Sequence, residues 1–171
     1  TITNSAASGT FTVNNGTFAD GDTINLAGTG AITVNGLVAD LNASTSTGSI
    51  TVNAVDDVSI TTGSAATTIS ETTGFTATVN AEALADGTLL TTSGAGSFTI
   101  SNFLGNLTNS ATGTVQVTLD DDGLGTPVDS TITNSAASGT FTVNNGTFAD
   151  GDTINLAGTG AITVNGLVAD L

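Results

Sequence analysis

Apolar residues along this chain fall in short runs in which every second position is aliphatic or aromatic and the residue between is polar. Phe11 and Val13 flank Thr12, Ile32 and Val34 flank Thr33, and Ile50 and Val52 flank Thr51; Phe98 and Ile100 flank Thr99, and Val115 and Val117 flank Gln116. A period of two sends neighbouring side chains to opposite sides of an extended backbone, so each run predicts a short β-strand with one buried face. The first apolar anchors of successive runs are Phe11, Ile24, Ile32, Leu41, Ile50, Ile60, Ile69, Ala77, Leu89, Phe98, Leu107, Val115, Leu124, Ile132 and Phe141. Most steps between them are eight or nine residues, and no window combines helical spacing with capping. The breaks carry Asn15-Gly16, Asn35-Gly36, Gly28-Thr29-Gly30, Gly63-Ser64 and Gly94-Ala95-Gly96, turn residues that take positive φ at little cost.

A strand followed at once by a tight turn admits two architectures. The chain either winds as a parallel β-solenoid or folds antiparallel as tandem small β-sandwich (Ig-like) domains. Connections of a few residues leave no room for the long crossings of a Greek-key sandwich. The expected fold is therefore all-β, a parallel β-solenoid with two strands in each coil of about 18 residues.

The pattern also repeats on longer scales. Thr1–Leu41 returns letter for letter as Thr131–Leu171, so that position 1 recurs at 131. A weaker duplication inside that period matches Ala19-Asp20-Gly21 with Ala85-Asp86-Gly87, close to its midpoint. Residues 1–130 are thus read as one unit made of two diverged halves, 1–65 and 66–130, with 131–171 the start of the next identical unit in one continuous solenoid without a linker. The expectation is that the chain is a slice of a tandem array. Seven strand steps in each half predict that successive halves begin on opposite sides of the solenoid and that identical surroundings return after fourteen steps, about 34 Å along the axis. The two Ala-Asp-Gly loops should then bulge from opposite sides.

Composition narrows the function. The chain has no Lys, Arg, His, Cys, Met, Trp or Tyr, and its 15 Asp and Glu give a formal net charge of −15. Without cationic side chains it cannot clamp phosphate, which argues against nucleic acid and anionic lipid as partners. Without Cys and His there are no disulfides, thiol nucleophiles or imidazole acid-base groups. Paired carboxylates, as in glycoside hydrolysis, are the one enzyme chemistry the inventory permits, and nothing in the sequence sets an acid beside a base, so no enzyme is expected. No apolar run reaches the roughly 18 residues of a membrane-spanning helix. At 38% hydrophobic residues the chain has enough apolar material to fold despite its charge.

The segments GTGAITVNGLVADLNASTSTGSITVN and ADGTLLTTSGAGSFTISNFLGNLTNSATGTVQV resemble the Thr/Gly/Ala-rich β-strand repeats of giant bacterial surface proteins, which are related to the calcium-binding RTX proteins and exported by type I secretion. The resemblance covers nearly the whole chain through loose, compositional motifs. It implies an extracellular location on a bacterial cell surface and a role as filament, matrix, surface-layer protein or adhesin stalk. One departure from the RTX nonapeptide matters. That motif places Asp two residues after a Gly, where Gly30-Ala31-Ile32 and Gly96-Ser97-Phe98 carry an apolar residue.

Candidate sites are few. Asp120-Asp121-Asp122-Gly123 with Asp129 is the densest carboxylate group, and adjacent like charges next to a Gly turn are how calcium loops gather hard oxygen ligands. Asp20 with Asp22 and Asp56 with Asp57 are thinner versions of the same candidate calcium site; the competing reading is acidic turns that keep the protein soluble. Outward Thr-x-Thr pairs, Thr10/Thr12, Thr76/Thr78 and Thr140/Thr142, are similar to the flat faces of ice-binding solenoids, but they do not recur on every coil and read as ordinary β-surface polarity. Asn15, Asn42 and Asn106 open glycosylation sequons. The expected partners are copies of the chain itself, packed laterally or end to end, with surface glycans or cations as partners in the adhesin alternative.

Overall fold

The computed structural model describes residues 1–121, 128–149, 151–168 and 170–171. It is all-β, with seventeen strands among the described residues in two parallel sheets. One sheet holds the odd strands: β1 (Ile2–Thr3), β3 (Thr23–Gly28), β5 (Asp40–Ser46), β7 (Val58–Thr61), β9 (Thr76–Asn80), β11 (Ser97–Phe103), β13 (Val115–Leu119), β15 (Phe141–Asn144) and β17 (Thr163–Asn165). The other holds the even strands: β2 (Thr10–Asn14), β4 (Ala31–Leu37), β6 (Ile50–Ala54), β8 (Thr67–Glu71), β10 (Leu89–Gly94), β12 (Asn106–Asn109), β14 (Asp129–Asn134) and β16 (Thr153–Gly158). Each strand pairs in parallel with the strand two places on, so the chain crosses from sheet to sheet at every turn and completes a coil every two strands. This is the expected parallel β-solenoid, and β14 runs through the junction of the two sequence units between Ser130 and Thr131.

The two inner faces meet in a single dry core. In the even sheet Val13, Val34, Val52 and Ile69 stack in register, as do Leu41, Ile60, Val79 and Ile100 in the odd sheet. Phe98 and Phe103 fill the middle, both almost wholly buried. The even-sheet file then turns polar without losing its pairing. Thr92 donates to Asn109 Oδ1 at 2.8 Å, Asn109 Nδ2 donates to Asn134 Oδ1 at 2.9 Å, and Asn134 Nδ2 donates to the Ala161 carbonyl at 2.9 Å. A buried polar ladder of this kind is tolerated because each member is satisfied by the coil above.

Coils average roughly 21 residues, longer than the expected coil. The sequence separation of stacked partners varies, being short where Ile24 lies against Leu41 and longest where Val115 lies against Phe141. The added residues sit in the corners, which fold back and contribute to the core: Leu84 and Phe148 are loop residues, each at most 2% exposed. Close stacking also restricts side chains at the corners. Gly94 has φ of 94°, and a Cβ there would lie 2.2 Å from the Glu71 carbonyl oxygen of the coil below, so only glycine fits.

The parity of the strands holds for the first half-unit and fails for the second. Phe11 lies in the even sheet and Ala77, seven strands later, in the odd sheet; the two Ala-Asp-Gly loops, between β2 and β3 and between β9 and β10, leave opposite edges as expected. From Ala77 to Phe141 there are six strand steps among the described residues. The strand anticipated at Leu124 falls in 122–127, outside the described residues, and the strands on either side of it, β13 and β14, occupy consecutive places in the two sheets. One unit therefore spans thirteen strands, six and a half coils, or about 31 Å instead of about 34 Å.

Identical sequences consequently occupy opposite sheets. β1 to β4 in the first copy become β14 to β17 in the second, with the same internal register: Ile2 faces Leu26 as Ile132 faces Leu156, and Val13 faces Val34 as Val143 faces Val164. The surroundings differ. Phe141 is 4% and Phe148 2% exposed, stacked above β13 and its neighbours, whereas their counterparts Phe11 and Phe18, beside the first described strand of each sheet, are 48% and 44% exposed. Substituting alanine for Phe148 should cost about 3 kcal/mol or more and for Phe18 less than about 1 kcal/mol, measured by urea unfolding of the two single variants. Equal costs would contradict the stacking order.

Candidate functional site

Of the sequence-predicted carboxylates, Asp22, Asp56, Asp57 and Asp120 accept backbone N–H groups; Asp40, which the sequence did not single out, does the same. Asp40 Oδ1 accepts the Ser59 N–H of the next coil at 2.8 Å, and Asp57 Oδ1 accepts the Thr76 N–H at 2.7 Å. Both act where a strand begins, supplying an acceptor where the ladder has not yet closed. Asp22 Oδ2 accepts the Ala19 N–H across its turn. In the second copy, Asp152 accepts the N–H groups of Ala149 and of Val128. Asp56 accepts the N–H of Asp57.

At the densest acidic stretch, Asp120 Oδ1 accepts the Asp121 N–H at 3.1 Å and the Thr147 hydroxyl, while the Asp121 N–H also reaches Thr147 Oγ1 at 2.8 Å. Asp122 is outside the described residues, and Asp129 is exposed at the start of β14. Asp20, Asp40 and Asp57 line one open groove of about 310 Å³ with Ser59, Thr76 and Thr78. Even so, among the described residues no three Asp or Glu side chains are placed to hold a metal ion. The sequon amides are similarly engaged: Asn15 Nδ2 donates to the Phe18 carbonyl, Asn42 Nδ2 to Asn25 Oδ1 and Asn106 Nδ2 to the Gly87 carbonyl.

Two features escaped the reading of the sequence. The first is Glu71, which ends β8 in the inward phase of Thr67 and Ile69 and is 1% exposed. Its Oε1 accepts the Thr72 N–H at 2.8 Å, and its Oε2 is buried without a hydrogen-bond partner. Gly96 leaves the room it occupies, since a Cβ there would lie 2.3 Å from Glu71 Cγ. Burial pushes this carboxyl from 4.5 up to about 7; the charges of Asp57 and Asp56 add to the rise, and the Thr72 hydrogen bond opposes it. The signal was in the alternation, because position 71 shares the parity of its buried neighbours.

The second is a file of threonines on the even sheet. Thr12, Thr33, Thr51, Thr68, Thr91, Thr108 and Thr133 are successive partners in register, one to each coil, before Ala157 ends the file. The Thr-x-Thr pairs do not recur on every coil, but this single Thr does, inside an apolar-Thr-apolar triplet at Thr12, Thr33 and Thr51 and in other sequence surroundings at the remaining four. Beside it Asn35 donates to Asn14 and Asn53 to Asn35, the latter at 2.8 Å.

Charge is segregated from these faces. From β2 to β12 of the even sheet and from β7 to β17 of the odd sheet, the outward positions of the described strands carry Thr, Ser, Asn, Gln, Ala or Leu and no acid. The acids cluster in turns and change edge along the axis: Asp20, Asp22, Asp56 and Asp57 follow even strands, whereas Glu82, Asp86, Asp120, Asp121 and Asp152 follow odd ones.

Glu71 makes stability depend on pH. Between about 4.5 and 7 the folded chain retains a proton that the unfolded chain has released, so the stability associated with this group is fully present below 4.5 and is lost as pH rises through 7. Glu71→Gln, neutral throughout, should raise stability by about 2 kcal/mol at pH 8 and leave it nearly unchanged at pH 4. Denaturant unfolding at the two pH values reads this, and an equal effect at both would refute the assignment.

No family model matches the chain, and it matches no curated protein and no solved structure, so its functional reading rests on its own geometry.

Proposed function

We propose that this chain is a structural module of a repetitive extracellular protein on a bacterial surface, acting as a stiff spacer or fibre wall and not as an enzyme. The observation that carries this reading is the continuous parallel stack of the described strands: each coil closes the edge of the one before, and an added unit adds length without changing the fold. Its outward faces hold mostly short uncharged polar side chains, and its acids either cap strand starts or keep the surface soluble. With no Lys or Arg in the sequence, trypsin-like proteases have no cleavage point. These properties suit a secreted filament, matrix or surface-layer component, assembled from copies of itself, without nucleic acid or membrane insertion.

A second reading, an adhesin stalk that binds glycans or cations such as calcium, draws on the groove lined by Asp20, Asp40 and Asp57. The two readings separate in a melting experiment. The spacer reading expects no change in Tm with millimolar calcium or with a panel of cell-surface glycans, and a rise of several degrees with one of them would replace it by the adhesin reading. The spacer reading also expects a chain extended by one further sequence unit to lengthen by about 31 Å in electron micrographs. An increment far from that value would rule out continuous stacking.

A further inference from the structure

Thirteen strands return the same sequence to the opposite sheet, so the outward residues Thr10, Thr12 and Asn14 of β2 in the even sheet reappear as Thr140, Thr142 and Asn144 at β15 in the odd sheet. The two broad sides of the solenoid are chemically alike: each has a stretch of six strands without an outward charge. We infer that both broad sheet faces are docking surfaces for further copies of this chain, so that lateral association continues past a dimer into open-ended layers.

Charge selects the occupant. The molecule carries 15 acids and no basic side chain, and most of the described acids lie outside the strands, so the acidic edges of two copies repel while the broad faces can meet without that repulsion. A basic partner would gain most at the acidic edges and nothing at the uncharged faces. A carbohydrate would find no stacking platform there: Phe98, Phe103 and Phe141 lie in the core, and no aromatic side chain points outward from the described strands of either face. A second copy presents the same Thr and Asn files at the same coil spacing. Those files are already ordered by amide bonds, Asn53 to Asn35 on one face and Asn165 to Asn144 on the other, which lowers the cost of fixing side chains on contact.

Six strands at about 4.8 Å and five residues at about 3.3 Å give a face of roughly 500 Å². A face-to-face pair then removes on the order of 1,000 Å² from water, the lower bound for a specific contact. The contact is accordingly weak for one pair, and it strengthens when salt screens the repulsion between acidic edges.

The inference deepens the spacer reading and rests on it. Its test is sedimentation equilibrium of the intact chain over a concentration series at low and high salt. The wild type should pass beyond dimer mass, more readily in high salt. Thr51→Asp with Thr68→Asp, which charges the even face, should stop at dimers, as should Thr99→Asp with Gln116→Asp on the odd face; all four together should give monomers. Circular dichroism and melting establish that the variants fold, and the uncharged pair Thr51→Asn with Thr68→Asn should assemble like wild type. A wild-type chain that remains monomeric throughout, or single-face variants that assemble as far as wild type, would overturn the inference. A folded monomer whose Tm is unmoved by calcium and glycans would sink this inference alone, whereas a ligand-induced rise in Tm would sink the spacer reading beneath it.

Discussion

Everything in this structure depends on backbone pairing between a strand and the strand two places later. A parallel pair cannot close through a tight hairpin, because the chain must first travel back to its starting edge. Here it returns by way of the facing sheet, so every return stroke is itself a strand and the two sheets bury each other. That one constraint produces the alternation of sheets, the dry core between them and the glycine corners. At Gly94 the carbonyl oxygen of Glu71 in the coil below occupies the space a Cβ would need. It also explains why acids cap strand starts: a turn leaves an N–H at the start of the next strand unpaired, and Asp40 and Asp57 reach up to take it.

The equivalence of the two sheets lets one sequence live on either of them. Both sheets demand the same inward-outward alternation, so a segment such as Phe-Thr-Val-Asn satisfies the even sheet as β2 and the odd sheet as β15 with the same internal register. Whether a copy lands on one side or the other is set by how many strands precede it, which is a property of the chain between the copies. The corner loops thereby control the angular position of every feature on the surface, including the acidic edges.

Buried polar groups divide into two kinds. Thr92, Asn109 and Asn134 form a file in which each side chain is completed by its neighbour in an adjacent coil, and such a file adds specificity of register at little cost. Glu71 lacks that completion, because its Oε2 faces no donor and the chain has no cationic side chain to offer one. Burial of a carboxyl in an all-acidic protein can be accommodated only by holding a proton, which ties the middle of the solenoid to pH.

The sequence by itself determined the strand type, the two-strand coil and the opposite placement of the two Ala-Asp-Gly loops, because alternation and turn residues are local and the shortness of the links excludes other windings. Coil length and unit length were beyond it: the pattern makes the coils too short and the unit too long. Leu84 and Phe148 lie between strands, outside the alternating runs, and only the stack shows them folding into the core. The strand expected at Leu124 lies outside the described residues, while β13 and β14 hold consecutive places in the two sheets, and a single strand more or fewer reverses the face of everything beyond. The threonine file and the spent carboxylates were hidden for the same reason. Which Thr sits over which, and whether an Asp faces a cation or the N–H of the next coil, depends on register across a whole coil of intervening chain, as between Ile24 and Leu41 or Val115 and Phe141. Over that distance local pattern carries no information, and stacking alone decides.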